Sequence, residues 1–330
     1  KGYGKTLYLK LDDGNMAVYA HLDKFTNELN NIIHNLQQKT NSYNIIQHFN
    51  DNEFPVKRGD IIGYTGDTGT ISGAHLHFEI RDQNNSPLNP FNFYTIKDDL
   101  KPIAKNIIFI PLNNESYING YNSMQAFSLN TNDKYEYFLN DTVNINGEFG
   151  IALETYDKIN SQPFSYGIHE IKFFIGEEMK FNTKFDNFNF EENKFVLLER
   201  NYSTNIRLGG DFYNLFSEHK YNSSFINITN SKYTINNNKY ENIKIDINDY
   251  FKNSIIIKGV LSNFKKEAPV LNLNKTNKFP TLIIKDDSIR ASLELYDKSG
   301  TEYREPLIEK IDSSYIIKNH SPFYDVLKVK

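Results

Sequence analysis

Short-range alternation limits this chain more than any other feature. Short segments switch between apolar and polar side chains and then stop at Gly, Asp, Asn or Pro. Successive side chains of a strand point to opposite faces, so the pattern suits half-buried β-structure. Residues 6–11 and 16–21 alternate around Asp12-Asp13-Gly14-Asn15, where Asp-Gly favours a hairpin turn. Residues 61–64 form a short strand and residues 75–81 alternate strictly. Further along, residues 107–110, 151–156, 168–174, 243–247 and 254–259 read as strands at spacings that suggest a β-sandwich. The 22 Tyr and 25 Phe among 330 residues push the same way, since both side chains favour strands. One stretch differs. Leu29, Ile32, Ile33 and Leu36 are spaced i, i+3, i+4, i+7, which predicts a helix over 26–39 capped by Thr26.

A chain of this length has room for two or three cores. Pro87, Pro90 and Pro102 punctuate a linker, so a boundary is expected near residue 98, with a second break at Glu267-Ala268-Pro269. The expected fold is mainly β. Residues 1–98 form an antiparallel sheet domain with a helical insertion at about 26–53. Residues 99–265 form an Ig-like β-sandwich, and 266–330 part of a second β module with a strand at 291–296 and a turn at 297–300.

Composition removes several functions. There is no Cys, which excludes disulfides, a Cys-ligated zinc and a catalytic thiol. Net charge is −4 with both signs interspersed, so nucleic acid is not an expected partner. No apolar run approaches the roughly 18 residues of a membrane span. The chain opens at Lys1-Gly2-Tyr3-Gly4-Lys5, running straight into a strand without Met or a leader. It is therefore expected to lack its true N-terminus, and membrane association is open only through that missing part. Nothing in the sequence bears on oligomeric state.

Chemistry concentrates at His75-Leu76-His77. On a strand both imidazoles project from one face. Two imidazoles on a rigid face can meet a metal and a substrate together, and zinc takes His nitrogen readily. Alone, such a pair more often marks two solvated strand histidines. The residues before it change that reading: Gly63, Gly66, Gly69 and Gly73 make a loop richer in glycine than a plain hairpin needs, letting backbone approach a bound peptide closely. A third histidine follows Tyr19-Ala20; Tyr19 and His21 share a strand face, so His21 can meet the other two from an adjoining strand.

The order Tyr19-Ala20-His21-Leu22, Val56-Lys57-Arg58-Gly59-Asp60-Ile61-Ile62-Gly63, Gly66-Asp67-Thr68-Gly69, Gly73-Ala74-His75-Leu76-His77-Phe78-Glu79-Ile80 and Asn89-Pro90 resembles the lysostaphin-type (LytM-like) zinc metallopeptidases. The resemblance covers about the first 95 residues. It implies a zinc-dependent metalloendopeptidase that hydrolyses peptide cross-links of bacterial peptidoglycan in the cell envelope, periplasmic or exported and open to membrane anchoring. It assigns His77 as a Zn2+ ligand and His75 and His21 as catalytic histidines. The family's other two ligands, a His and an Asp from a His-x-x-x-Asp motif, are expected upstream of Lys1. The stretch between Leu22 and Val56 is longer than the family's compact pattern, which leaves it either a wall of the substrate groove or a surface insertion. Glu79 shares the histidines' face, as a group supporting His77 or, in the reading preferred here, a solvated strand Glu. His34, His48, His169, His219 and His320 read as solvated. The competing function is a catalytically inactive relative that binds the wall or activates a separate amidase. Such relatives usually lose some of these histidines, whereas His21, His75 and His77 are all present.

Overall fold

A computed structural model of the chain describes residues 2–264 apart from 71, 72, 133, 188 and 218–222, and beyond 264 the backbone of short strands alone. The protein is mainly β, built from antiparallel sheets. The first sheet is organised by β2 (Met16–Phe25), whose Ala17, Val18, Ala20 and Leu22 are buried. On one side β2 pairs with β1 (Lys5–Lys10); on the other it pairs with β3 (Gly63–Thr65) and β4 (His77–Arg81), and β4 pairs with β5 (Pro87–Leu88). Every pairing in this sheet is antiparallel. The turn from β1 to β2 forms as its residues dictate: the Leu11 amide donates to Asn15 O at 2.8 Å and the Asn15 amide to Asp13 Oδ1 at 2.9 Å.

Helix α1 (Asn27–Thr40) follows β2 directly. Thr26 occupies its N-cap position but makes no side-chain capping bond. Asn30 instead bonds both the amide and the carbonyl of Phe25, fastening the first turn to the end of the strand. The expected apolar stripe faces inward only partly: Leu29, Ile32, Ile33 and Leu36 are half-buried, and no residue of α1 is buried.

Strands resume at Ile103–Pro111. This strand, Phe149–Tyr156, Phe212–Asn214 and Gln125–Ser128 form a four-stranded sheet. A nine-stranded sheet is centred on Glu170–Ile175, Tyr240–Asn248 and Ser254–Ser262. One continuous core draws on both sheets, with Phe109, Phe149 and Ile151 from the first and Ile171, Phe173, Ile245 and Ile257 from the second. Two pairings in the larger sheet are parallel, those of Glu136–Phe138 and Val143–Asn146 with Ser254–Ser262.

Contacts join the first sheet and the turn after it to residues flanking the two sheets that follow. The Phe91 ring packs 5.4 Å from Tyr250 and 5.1 Å from Phe251, the Tyr250 hydroxyl donates to Asn92 Oδ1, and the Arg81 guanidinium lies 4.6 Å over the Phe190 ring. Near this seam Glu199 is 3% exposed and its Oε1 has no hydrogen-bond partner among the described residues. Burial pushes its carboxyl up to about 7. A carboxyl raised on folding stabilises the fold below its unfolded value and opposes it as pH rises through 7. Glu199→Gln is therefore expected to raise Tm at pH 8 and leave it nearly unchanged at pH 5, measured by thermal unfolding at both values.

Beyond residue 264 the short strands include Leu293–Tyr296, within the segment expected at 291–296. The break expected at 267–269 and the turn at 297–300 lie outside the described residues.

Candidate active site

The three histidines meet on one face of the first sheet. The His21 ring centroid is 5.0 Å from His75 and 5.5 Å from His77. Regular alternation does not produce this. In the β2–β4 ladder Ala20 stands opposite His77 and Tyr19 opposite Phe78, and paired residues share a face. An undistorted β2 points His21 with Tyr19, away from His77. His21 instead adopts φ 60°, a left-handed conformation uncommon for a side-chain-bearing residue, and this kink turns its ring onto the His77 face. The expectation that His21 meets the pair holds; its stated reason, a face shared with Tyr19, is corrected. Ala20, the small residue opposite His77, leaves room for the rings.

His75 also departs from its expected strand. β4 begins at His77, and His75 sits before it in an isolated bridge to Gly66, its amide donating to Gly66 O at 3.1 Å. The glycines of the loop serve its own chain. A Cβ on Gly66 would lie 2.5 Å from Asp23 N, and one on Gly69 (φ 98°) 2.4 Å from Gly2 O. This corrects the reading of these two glycines as openings for a bound peptide; they seat the loop against β2 and the N-terminal residues. Thr68 completes the clasp, its hydroxyl donating to Leu22 O at 2.8 Å and accepting from the Lys5 amide at 2.9 Å.

Hydrogen bonds fix which ring nitrogens carry protons when the imidazoles are neutral. A carbonyl oxygen only accepts. His21 Nδ1 lies 2.9 Å from Thr68 O and His75 Nδ1 3.0 Å from Gly73 O, so both rings are protonated at Nδ1 and keep a lone pair at Nε2. His77 is reversed. Its Nε2 lies 2.5 Å from Glu79 Oε1, which places the proton at Nε2 and the lone pair at Nδ1.

Glu79 is not the solvated residue preferred from the sequence. Besides His77 it accepts from the Tyr3 hydroxyl at 2.7 Å and from Arg81 Nε at 2.6 Å. Burial pushes its carboxyl up, but the hydrogen bonds from Arg81, Tyr3 and His77 outweigh burial and hold it below the usual carboxylate range. Burial and then the bond to Glu79 push the Tyr3 hydroxyl up to about 12. Since Glu79 titrates lower folded than unfolded, its stabilising contribution is present above its unfolded value and is lost as pH falls through the folded one. Glu79→Gln is expected to flatten the acid limb of a stability–pH curve measured by thermal unfolding.

Sequence reasoning missed Tyr3 and Arg81. Arg81 left a signal, because His77, Glu79 and Arg81 alternate on one strand face with opposite charges adjacent. Tyr3 left none; it precedes the first strand and reaches Glu79 only through the fold. Of the other histidines, His34 and His48 are exposed as expected. His169 is not: it is half-buried, with Nε2 2.9 Å from Asp186 Oδ1, a partner at no recognisable sequence spacing. His219 and His320 lie outside the described residues.

Residues 30–90 match the sequence model of peptidase family M23. The segment 30–90 is thus similar to peptidase family M23, in line with the resemblance carried by its motifs. The M23 match includes His75 and His77 and stops short of His21. The chain is also similar to the DD-carboxypeptidase/endopeptidase Mpg of Neisseria meningitidis serogroup B (strain ATCC 13091 / M2091), with 30% identity over 27% of this chain and 15% of the relative. Its counterpart in Neisseria gonorrhoeae (strain ATCC 700825 / FA 1090) gives the same values. The chain thus spans about 15% of the length of the curated relatives it matches. No solved structure matches.

Zinc is the metal this family implies, and a catalytic site needs three protein ligands. His77, with Nδ1 unprotonated and Nε2 held by a carboxylate, has the form of one. Among the described residues, however, this site does not bring three ligand atoms within 4.8 Å of one another; the group that does is elsewhere. The described residues do not complete a catalytic zinc site by themselves.

Proposed function

We propose that this protein is a zinc-dependent metalloendopeptidase of the bacterial envelope, cutting peptide cross-links of peptidoglycan. The proposal takes residues 1–98 as the catalytic module and 99–265 as the β-sandwich that carries it. The observation that carries the reading is the pairing of opposite tautomers on one sheet face: His77 presents Nδ1, while His21 and His75 present Nε2. Each ring thereby keeps one free nitrogen, available at His77 to a metal and at His21 and His75 to a proton.

In this reading Glu79 orients His77, and Arg81 and Tyr3 hold Glu79 in place. Thr68 and Gly73 lock the His21 and His75 rings, so that neither has to reorient to take up a proton. Zinc, when bound, would activate water and polarise the scissile carbonyl. The likeness to a DD-carboxypeptidase/endopeptidase supports a cross-link peptide as substrate. The competing reading, an inactive relative that binds the wall, draws on the incomplete ligand set among the described residues; the three histidines gathered on one face favour the enzyme.

The test is release of new amino termini from purified peptidoglycan by the intact gene product. His21→Ala and His75→Ala are each expected to lower kcat by about 10²–10⁴-fold, the range for loss of a general acid or base, with zinc content unchanged. Activity indifferent to chelator, or undiminished in both variants, would sink the proposal.

A further inference from the structure

Away from the histidines, three carboxylates converge where the segment after the first sheet meets the sandwich. Asp98 lies in the connection leading to strand Ile103–Pro111, Asp157 directly follows Phe149–Tyr156, and Asp249 directly follows Tyr240–Asn248. The last two strands belong to different sheets of the sandwich. One oxygen from each carboxylate lies within 4.8 Å of the other two. Oxygens bound to a single Ca2+ at about 2.4 Å can be at most about 4.8 Å apart, so the cluster has the dimensions of a shared ion.

Acidic clusters are common without ions, and the argument turns on a second observation. Asp157 is 4% exposed, and its Oδ1 has no hydrogen-bond partner among the described residues. Asp98 Oδ2 is buried and unpartnered as well. None of the ion pairs among the described residues includes Asp98, Asp157 or Asp249. The lysines adjacent to Asp98 and Asp157 are committed elsewhere: Lys97 pairs with Asp99 at 3.3 Å, and Lys158 donates to Pro163 O at 3.3 Å. Native proteins rarely leave a buried carboxylate oxygen without a donor or counter-charge.

The surroundings orient the group without neutralising it. The Asn253 amide nitrogen Nδ2 donates to Asp249 Oδ2 at 2.7 Å and to the Asp98 carbonyl at 3.1 Å, and the Asn253 backbone amide donates to Asp249 Oδ1 at 2.8 Å. The Asp157 backbone is pinned by a two-way exchange with Tyr166, at 2.9 and 3.0 Å. Three rigidly presented carboxylates in a water-poor site cannot all remain charged alone. Either protons or a cation must relieve them.

We propose that Asp98, Asp157 and Asp249 bind a hard divalent cation, calcium by preference, which ties the interdomain connection to both sheets of the sandwich. Calcium suits the site because it accepts irregular all-oxygen coordination, carboxylate and carbonyl together. The proposal is independent of the peptidase reading, since none of these residues belongs to the histidine face.

The test is calorimetric titration of the chelator-stripped full chain with CaCl2, together with thermal unfolding in millimolar CaCl2. Saturable binding of about one Ca2+ per chain and a Tm raised by several degrees are expected. Asp157→Asn and Asp249→Asn should each weaken binding by about tenfold or more, since each removes one of three charged ligands. Asp98→Asn, on the half-buried connection, serves the same purpose if the two buried variants do not fold. His77→Ala should keep the full calcium response. Absence of both heat and Tm shift in the unsubstituted chain, or a shift preserved in the Asp variants, would overturn the proposal and leave the carboxylates neutralised by protons. So would a calcium response that disappears with His77.

Discussion

Replacing His77 by alanine in the intact gene product is expected to lower kcat/KM for peptidoglycan cleavage by more than about 10³-fold, above the ~10–100-fold typical of losing an outer partner. The imidazole is the only one at the site whose hydrogen bonding leaves Nδ1 unprotonated, and its Nε2 is held by Glu79 at 2.5 Å. His21 and His75 present Nε2 instead, because backbone carbonyls hold their protons at Nδ1. Zinc content by atomic absorption should fall in parallel, while the circular dichroism spectrum stays unchanged because His77 is half-buried at the sheet surface. Residual activity within tenfold of the parent enzyme would remove His77 from the metal site.

The second large effect concerns stability. Arg81→Met is expected to cost about 3–5 kcal/mol, the usual cost of removing one partner of a buried ion pair. The Arg81 side chain is 5% exposed and that of Glu79 13%, with Nε and Oε2 2.6 Å apart. The guanidinium also donates to Asn85 Oδ1 at 3.0 Å and to the Tyr3 hydroxyl at 3.2 Å, and it lies over the Tyr8 and Phe190 rings. Methionine restores some of the packing and none of the charge. Adding Glu79→Gln to Arg81→Met should recover part of the loss, because the carboxylate left without its partner is then gone. Urea unfolding of both single variants and the double variant measures this as a cycle. Strict additivity would mean that Arg81 acts through packing alone.

The two experiments address different properties of one strand. β4 carries His77, Glu79 and Arg81 on a single face, so the residue proposed to touch metal and the residue that stabilises the sheet are joined through one carboxylate. A His77 variant is expected to lose function with little loss of stability, and an Arg81 variant to lose stability foremost.

Much of this was legible in the chain itself. Alternation along 16–21 and 75–81 identified the strands that hold His21 and His77, and Asp-Gly marked the turn before β2, because both signals are local and side-chain parity needs no knowledge of the partner strand. The helix after β2 was legible for the same reason. Its cap was not: Thr26 had the right chemistry, but Asn30 reaches Phe25, and only the placement of strand against helix decides between them. His75, His77 and the motif around them carried the resemblance to the M23 peptidases, since these are properties of residue order. How His21 joins them was beyond sequence parity. The kink at φ 60° reverses the face that alternation assigns, and it is held by Tyr3 O accepting from the His21 amide and Thr68 O from its ring, partners 18 and 47 residues away. Glu79 read as solvated because its neighbours in sequence say nothing of Tyr3. Asp98, Asp157 and Asp249 carried no pattern at all, for they lie on three separated segments and become a cluster only when both sheets close on the connection. Sequence determined what is set by neighbours along the chain, namely strand, turn, helix and motif. Tertiary structure alone decided which distant polar groups share a low-dielectric site, and with it the tautomers, the charge pairing and the carboxylates left without a donor.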